Sequence, residues 1–453
     1  MNKSKVVIIC PNDFIPERTY IIDILAQFLG LKVEVRNKPS IPNYHIKINN
    51  KQLTIEDHFF RKINEKVGYL KTENLPEIKH TFTNLQFEAN KLPVLYGKPN
   101  IQNIESGIHC QIDIFATCFF MLTRWEEFVI KERDQHGRFP ARHSLAFKNN
   151  FLNRPIVNEY VEILRKMLSS LDPSLKFQER TFTCIPTHDI DHIAKWGSLT
   201  SIRKKLAHDF ITKRRPWLGV KNLFDMLLTK SGIRQDPFDT FAYITELSKA
   251  NNLTSRFYFL CGGKSKYDLN FDIEEAKPYI EYLQQQEQII GFHPSYSSHK
   301  NLKQWRSEKL KLESISQQKV KEGRQHYLMF EAPVTWKIWD DNDMEVDSSV
   351  GYSEVPGFRC GTCYSFPVFD FLNREKLGLV ENPLILMETT LITYMKASPE
   401  EANEIAKQLY FTVKKYNGNF TFLWHNSAMH TIEDKPYLFV YENIIKGFPE
   451  DGE

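Results

Sequence analysis

The sequence predicts an α/β protein, with a (β/α) barrel in the C-terminal part and an N-terminal α/β domain before it. Apolar strand-like runs alternate with helical patterns from about Thr181 to the C-terminus, which is typical of parallel α/β architecture, and this length suits a barrel. A helical pattern ends at Asp172-Pro173, which indicates a domain boundary. Polar residues follow several of the apolar runs, at the strand end where barrels gather catalytic groups. We therefore predict domains over residues 1–178 and 179–453.

The N-terminal domain opens with a predicted strand over residues 6–10 and a helix around 20–29. Residues 112–129 have the pattern of an amphipathic helix with an aromatic-rich face, for which we expect a packing role. A further helix is predicted over 157–171. These patterns predict structure but assign no chemistry to this domain.

The C-terminal region contains short apolar runs that predict buried strands. They cover residues 184–187, 255–260, 289–292, 384–387 and 420–424. One intervening helix has a clear start, because Ser398, Pro399 and Glu401 match the N-cap, N1 and N3 positions of a capping box. Asn417-Gly418 predicts its end.

Charge and hydropathy limit the classes of partner. The formal net charge is only +3, from 59 basic and 56 acidic residues, which gives no reason to expect nucleic acid or an acidic membrane surface as a partner. The apolar run after the N-terminus is too short for a signal peptide. The longest later run, 114–122, is far below the ~20 residues that span a bilayer. We therefore expect a soluble, cytoplasmic protein with no transmembrane segment.

The cysteines favour a reducing compartment. Their odd number, seven, their wide spacing and their apolar neighbours indicate mostly buried thiols. Cys360-Gly-Thr-Cys363 has CxxC spacing, but no second pair completes a zinc site, so we interpret it as incidental.

The candidate chemistry lies just past the ends of three predicted strands. Asp189 and Asp191 follow the first strand of the C-terminal region, His293 follows residues 289–292, and His425 follows 420–424. Because these strand ends meet at one rim of a barrel, we expect the four side chains to converge.

The spacing of the two aspartates favours a metal. In an extended segment Asp189 and Asp191 point to the same side. Two close carboxylates are both ionised in a dry pocket only when a cation lies beside one of them, which leaves the other to act as a base. The alternative for a single aspartate is an Asx-turn at a strand end, which is less common for two.

The two histidines have different predicted roles. A neutral imidazole at His293, beside the proline-stiffened turn of Pro294, suits a borderline metal such as zinc. His425 ends a buried strand, where a histidine facing a pocket is placed to donate a proton near neutral pH. Taken alone, a histidine such as His293 more often makes a structural hydrogen bond. For His425 the alternative of a buried core histidine is less favoured, because Asn426-Ser427 ends the strand.

These segments resemble a known family. Thr187-His188-Asp189-Ile190-Asp191 is similar to the first motif of NodB-homology polysaccharide deacetylases, and residues 422–425 resemble their last motif. The chain resembles more closely a bacterial subgroup with an extra N-terminal domain. The further segments that carry this resemblance are Ile114-Phe115-Ala116 to Glu126-Glu127, His293 to Tyr296, Arg324 to Tyr327, Asp347 to Ser349, Gly357 to Arg359 and Leu423 to Asn426. The resemblance implies a distorted (β/α) barrel of NodB-homology type.

The resemblance also implies roles for individual residues. Asp189 would be the general base, Asp191 and His293 metal ligands, and His425 the acid that protonates the leaving amine. The family's second histidine, four residues after the first, is replaced here by Ser297, a poor zinc ligand. His326 is the substitute we prefer as third ligand, and His299 is the alternative.

Other polar residues are candidates for supporting roles. Arg324 and Arg359 could orient Asp189 through an ion pair or bind a substrate oxygen, so Arg359 is a predicted catalytic residue and Arg324 a predicted substrate contact. Tyr296 and Trp424 are further predicted substrate contacts. Glu388 could hold His425 or Arg359.

Together these residues predict a metal-dependent N-deacetylase, with Zn²⁺ as the expected metal and an N-acetylated sugar of a surface polysaccharide or its precursor as the substrate implied by the family. A hydrolase of the same fold acting on a non-sugar C–N bond is one alternative. A catalytically inactive carbohydrate-binding or assembly protein is another, suggested by Ser297.

Overall fold

The computed structural model describes residues 6–39, 41–197, 202–203, 206, 216–263, 265–268 and 271–449. The strands within these residues are β1 Val6–Pro11, β2 Val33–Lys38, β3 Tyr44–Ile48, β4 Lys51–Ile55, β5 His80–Asn84, β6 Ala89–Val94, β7 Gly97–Ile104, β8 Gly107–Ile112, β9 Thr183–Ile190, β10 Arg256–Leu260, β11 Ile289–His293, β12 Glu322–Gly323, β13 Val346–Asp347, β14 Phe366–Asp370, β15 Glu375–Glu381, β16 Leu386–Met387 and β17 Asn419–Leu423.

The α-helices in the described part of the chain are α1 Ile15–Leu29, α2 Ile114–Thr123, α3 Trp125–Val129, α4 Leu145–Lys148, α5 Ile156–Leu171, α6 Pro216–Lys230, α7 Phe241–Ala250, α8 Lys277–Gln285, α9 Leu302–Ser316, α10 Val334–Asp340, α11 Pro399–Lys415 and α12 Leu438–Lys446. Over the same residues, no helix is both long enough and apolar enough to cross a bilayer.

The chain forms two compact units, and neither is continuous in sequence. The first unit comprises Met1–Thr183, Tyr327–Leu386 and Leu409–Thr421, and the second comprises Cys184–His326, Met387–Gln408 and Phe422–Glu453. The predicted division into residues 1–178 and 179–453 therefore stays a prediction, because later segments of the chain pack with the N-terminal residues in the first unit.

The first unit is built on a six-stranded sheet in the order β2-β1-β3-β4-β8-β7. It is a mixed sheet, in which β1 runs parallel to β2 and antiparallel to β3. Every side chain of α2 is buried, which agrees with the packing role predicted for this region. The helix predicted over 112–129 is divided, however, into α2 and α3. Arg124 between them adopts a left-handed conformation (φ 54°), and its guanidinium binds Glu126 and Glu127 in the core.

The second unit contains strands in the order β12-β11-β10-β9-β17-β16, of which β9 to β12 run parallel to one another. Strands β9, β16 and β17 each begin in a segment of the first unit and end in a segment of the second. The register of β10 places Tyr258 beside Asp189 of β9 and Leu260 beside His293 of β11. Helices α8 and α9 pack against β11. The predicted α/β class is confirmed, whereas closure of the strands into a barrel is not shown.

Two local predictions are confirmed by contacts. The backbone N–H of Glu401 donates to Oγ of Ser398 (3.2 Å), and that of Ser398 donates to Oε2 of Glu401 (2.8 Å), which is the predicted capping box. All seven cysteines are buried free thiols, including Cys360 and Cys363.

Candidate metal centre

The polar residues predicted to converge do so within the second unit. The parallel register of β9, β10 and β11 aligns the carboxyl end of β9, which bears Asp189, with that of β11, which ends at His293. The backbone N–H of Arg324, just past β12, donates to the carbonyl of Phe292, which places the next residues of the chain beside His293. Strand order thus brings together groups that are far apart in sequence.

Asp191, His293 and His326 form a cluster with the geometry of a metal site. Nε2 of His293 lies 3.4 Å, and Nε2 of His326 lies 3.6 Å, from Oδ1 of Asp191. One ligand atom from each residue lies within 4.8 Å of the other two. The predicted choice of His326 rather than His299 agrees with this geometry, since His299 is not part of the cluster.

The other ring nitrogen of each histidine has a partner that orients the imidazole. Nδ1 of His293 donates to the backbone carbonyl of Arg324 at 2.6 Å, which leaves Nε2 with its lone pair toward Asp191. Nδ1 of His326 lies 3.3 Å from Oδ1 of Asp268. Histidine ligands in metal sites are held in this way by carbonyl or carboxylate groups.

The cluster contains buried polar atoms that lack hydrogen bonds. Oδ1 of Asp191 and Nε2 of His293 are buried and have no hydrogen-bond partner among the described residues. A buried polar atom without a partner lowers the stability of the fold unless a bound ligand supplies the missing interaction. One carboxylate and two imidazoles are the donor set of many catalytic zinc sites, so the residues present fit a divalent cation.

The charges of the cluster compensate one another when no cation is present. Burial opposes a charge on His326, but the carboxylates of Asp191 and Asp268 outweigh it and raise the pKa of His326 to about 9. Burial likewise opposes a charge on Asp191, yet His326 and His293 hold its pKa well below the ordinary value. A protonated His326 thus compensates the negative charges of Asp191 and Asp268.

Asp189 is held beside the cluster by Arg324. Nη1 of Arg324 donates to Oδ1 of Asp189 at 2.8 Å, and Nη2 donates to the hydroxyl of Thr187 at 2.9 Å. The other oxygen, Oδ2, lies 3.6 Å from Nε2 of His293. Arg324 thus takes the orienting position, the first of the two roles considered for it from the sequence.

His425 lies on the other side of Asp191. Its Nε2 is 3.7 Å from Oδ2 of Asp191, and its Nδ1 is 2.6 Å from Oε1 of Glu388. Burial opposes a charge on the ring, but Glu388 and then the two aspartates raise the pKa of His425 to about 10. The side chains of Asp191 and His425 are each 17% exposed, whereas His293 and His326 are almost fully buried.

Arg359 is placed elsewhere. It belongs to the first unit, where its guanidinium makes a two-point ion pair with Glu127 (2.9 and 2.6 Å) and donates to the carbonyl of Gly351 (2.7 Å). Its ring neighbours are Tyr352 and Phe330. These contacts use the buried guanidinium in the core of that unit, and the catalytic role predicted for Arg359 stays a prediction.

The remaining predicted site residues have contacts of their own. The indole of Trp424 is buried and donates to the carbonyl of Ala428 at 2.9 Å. Tyr296 is partly exposed and its ring lies beside that of Tyr267. The hydroxyl of Ser297, at the family's second histidine position, accepts from Gln304 at 2.8 Å.

Asp268 is a residue of the centre that the sequence reasoning missed. Besides contacting His326, it accepts hydrogen bonds from the backbone N–H of Ser297 (3.1 Å) and from the hydroxyl of Ser265 (2.7 Å). Its position in the loop after β10, at the same end of the sheet as Asp191 and His293, was a signal that could have identified it.

Comparisons with known proteins give limited matches. The sequence profile of a family described as a family of unknown function (DUF7033) matches residues 6–173. No curated protein matches the chain.

Among solved structures, a protein described as a polysaccharide deacetylase from Mycobacterium smegmatis aligns at 14% identity, covering 59% of this chain and 84% of that one, with a TM-score of 0.37. BA3943, described as a CE4 family pseudoenzyme from Bacillus anthracis, aligns at 10% identity over 58% of this chain and 60% of its own, with a TM-score of 0.29. Puue allantoinase aligns at 9% identity over 49% of this chain and 69% of its own, with a TM-score of 0.33. At these TM-scores the similarities do not establish a shared fold over the whole chain.

Proposed function

We propose that the second unit is a metal-dependent hydrolase that removes N-acetyl groups from a sugar of a surface polysaccharide or its precursor. One observation carries the proposal. Oδ1 of Asp191 faces the Nε2 atoms of His293 and His326, while a carboxylate and an imidazole, Asp189 and His425, lie on either side of this group.

Asp191, His293 and His326 would hold the cation. Zn²⁺ is the expected metal, because two imidazoles and one carboxylate with an open position are a catalytic zinc donor set. When bound, such a cation supplies Lewis acidity toward an amide carbonyl and lowers the pKa of water. His326 supplies the imidazole that the family resemblance expects from the position of Ser297.

Asp189 would act as the general base. Its Oδ2 faces the centre, whereas its Oδ1 is bound by Arg324. The guanidinium fixes the carboxylate in one orientation and places a positive charge beside it. Asp189 would therefore accept the proton of the attacking water as the water oxygen bonds to the acetyl carbon.

His425 would act as the general acid. Glu388 orients the ring and favours its protonated form, with Nε2 directed toward Asp191 and the solvent-accessible side of the centre. As the C–N bond breaks, Nε2–H of His425 would donate a proton to the leaving amine. The products are acetate and the free amino sugar.

The substrate class is inferred from the sequence motifs. Thr187 to Asp191 and Phe422 to His425 resemble the first and last motifs of NodB-homology deacetylases, whose substrates are N-acetylated sugars. Tyr296, which is partly exposed at the turn after His293, is the proposed sugar contact. The distorted barrel implied by the same resemblance belongs to this proposal.

Acetate release from N-acetylglucosamine oligomers tests the proposal. The full chain, stripped of metal and then loaded with Zn²⁺, should release acetate and lose this activity when a chelator is added. Asp189→Asn should keep stoichiometric zinc and lose turnover.

Three results would contradict the proposal. Hydrolysis of cyclic ureides without acetate release would favour the non-sugar C–N hydrolase. Binding of the oligomers without turnover, with no stoichiometric metal, would favour an inactive carbohydrate-binding protein. Full activity of Asp189→Asn would remove Asp189 as the base.

A further inference from the structure

Helix α6 packs in the second unit through a side that carries both apolar and polar residues. Its buried residues are Leu218, Gly219, Asn222 and Asp225. Oδ1 of Asn222 accepts a hydrogen bond from Nζ of Lys195 (2.8 Å), and Oδ2 of Asp225 accepts one from the indole of Trp196 (2.9 Å). These bonds fix the helix against the loop that follows Asp191.

The opposite side of α6 is apolar and exposed. It carries Trp217, Val220, Leu223, Phe224 and Leu227, with exposed fractions of 55% for Trp217, 65% for Phe224 and 54% for Leu227. At about 100° per residue these five side chains fall in an arc of about 120°, centred nearly opposite the buried residues. A surface helix of a globular protein normally turns its apolar stripe toward the core, whereas α6 buries Leu218 and leaves these five apolar side chains outward.

The charges around this face are positive. Lys221 and Lys230 lie at about the two edges of the apolar arc. Asp225 is the one acidic residue in the sequence from 216 to 235, and it is buried and paired with Arg234 at 2.8 Å.

We propose that the apolar face of α6 docks on the surface of an anionic lipid bilayer. Trp217, Phe224 and Leu227 would enter the boundary between headgroups and acyl chains, and the two lysines would contact the headgroups. An apolar stripe with cations on both edges and no outward carboxylate complements a lipid surface of negative charge.

The formal net charge of the chain is only +3 because acidic residues elsewhere balance its basic residues, so it does not indicate the local positive charge beside α6. The proposal goes beyond the function proposed above and does not depend on it.

Vesicle flotation of the full chain tests this docking. The protein should float with vesicles of phosphatidylglycerol mixed with phosphatidylcholine, and binding to vesicles of phosphatidylcholine alone should be weaker. Leu227→Glu should reduce binding by about tenfold or more, because it removes apolar contact and adds a repelled charge. Added salt should weaken binding of the unmodified chain, since exposed charges are screened.

Leu310→Glu is the matched control. Leu310 is a leucine of similar exposure (61%) on α9 of the same unit, so its replacement should leave vesicle binding unchanged. Equal binding by the two variants, or no flotation with anionic vesicles, would overturn the proposal. A chain that ignores vesicles but changes from dimer to monomer with Leu227→Glu, as measured by light scattering, would instead make this face an interface between two copies.

Discussion

Nε2 of His326 lies 3.6 Å from Oδ1 of Asp191, the same carboxylate oxygen that faces Nε2 of His293 at 3.4 Å. His326, which lies just past β12, thus completes a group with Asp191, which follows β9, and His293, which is the last residue of β11. This relationship makes the proposed ligand set of the second unit testable residue by residue.

Replacing His326 should abolish stable metal binding. We expect His326→Ala to lower zinc affinity by more than about 100-fold, because loss of a ligand costs more than loss of a residue that only supports one. Metal content after dialysis, measured by mass spectrometry, checks this. His299→Ala is the control and should keep its zinc, and the reverse pattern would assign the third ligand to His299.

Removing the carboxyl group that supports His326 should have a smaller effect. Asp268 lies 3.3 Å from Nδ1 of His326, and Asp268→Asn weakens that contact without removing a ligand. We expect zinc affinity to fall by about 10- to 100-fold, measured by competition with a chromogenic chelator. Ser265→Ala removes a hydroxyl bound to Asp268 and should have little effect, and equal losses in both variants would indicate a general disturbance of the loop.

Glu388 should set the alkaline limit of activity. Its carboxylate is the main contribution that raises the pKa of His425 to about 10, and a general acid works only while it is protonated. Activity should therefore persist at pH values below the pKa of His425 and fall as the pH rises through that value. Glu388→Gln should move the alkaline limb of the kcat/KM profile to lower pH.

The control for this prediction keeps the charge. Thr389→Val removes the hydroxyl that donates to Oε1 of Glu388 at 2.7 Å but leaves the carboxylate in place, so the limb should stay where it is. An unchanged profile in Glu388→Gln would show that another group sets the limb.

Arg359 should prove structural. Glu127 also pairs with Arg124, so removing Arg359 leaves two buried glutamates with one arginine. This excess negative charge in the core of the first unit should cost about 3–5 kcal/mol of unfolding free energy. Arg359→Met should therefore lower the melting temperature while the folded fraction retains its zinc. A large loss of kcat at an unchanged melting temperature would support the catalytic role predicted from the sequence.

His188 should make the fold sensitive to mild acid. Burial lowers the pKa of His188 from 6.5 to about 4, so between these values the unfolded chain binds a proton that the folded chain does not. The contribution of His188 to the unfolding free energy is fully present above pH 6.5. It falls by about 3 kcal/mol as the pH decreases toward 4. Urea unfolding across this range measures the loss. His188→Asn should flatten that part of the curve, and an identical curve would contradict the assignment.

Local patterns predicted much of the second unit. The strand-end positions of Asp189, Asp191, His293 and His425 followed from apolar runs and their polar ends, and the capping box at Ser398 followed from residue types alone. These features depend on residues that are close together along the chain, so they can be predicted from the sequence. The division of the helix at Arg124 was missed because a buried ion pair with Glu126 and Glu127 holds the left-handed turn there.

The sequence by itself determined which side chains stand at strand ends and what chemistry they can perform. Only the tertiary structure decided which of them meet: His326 rather than His299 faces Asp191, Asp268 supports it, and Arg359 pairs with Glu127 in the other unit. It also decided that α6 buries Asn222 and Asp225 and leaves its apolar side outward. The physical reason is that strand order and long-range packing place groups in space, and neither is encoded in the spacing of residues along the chain.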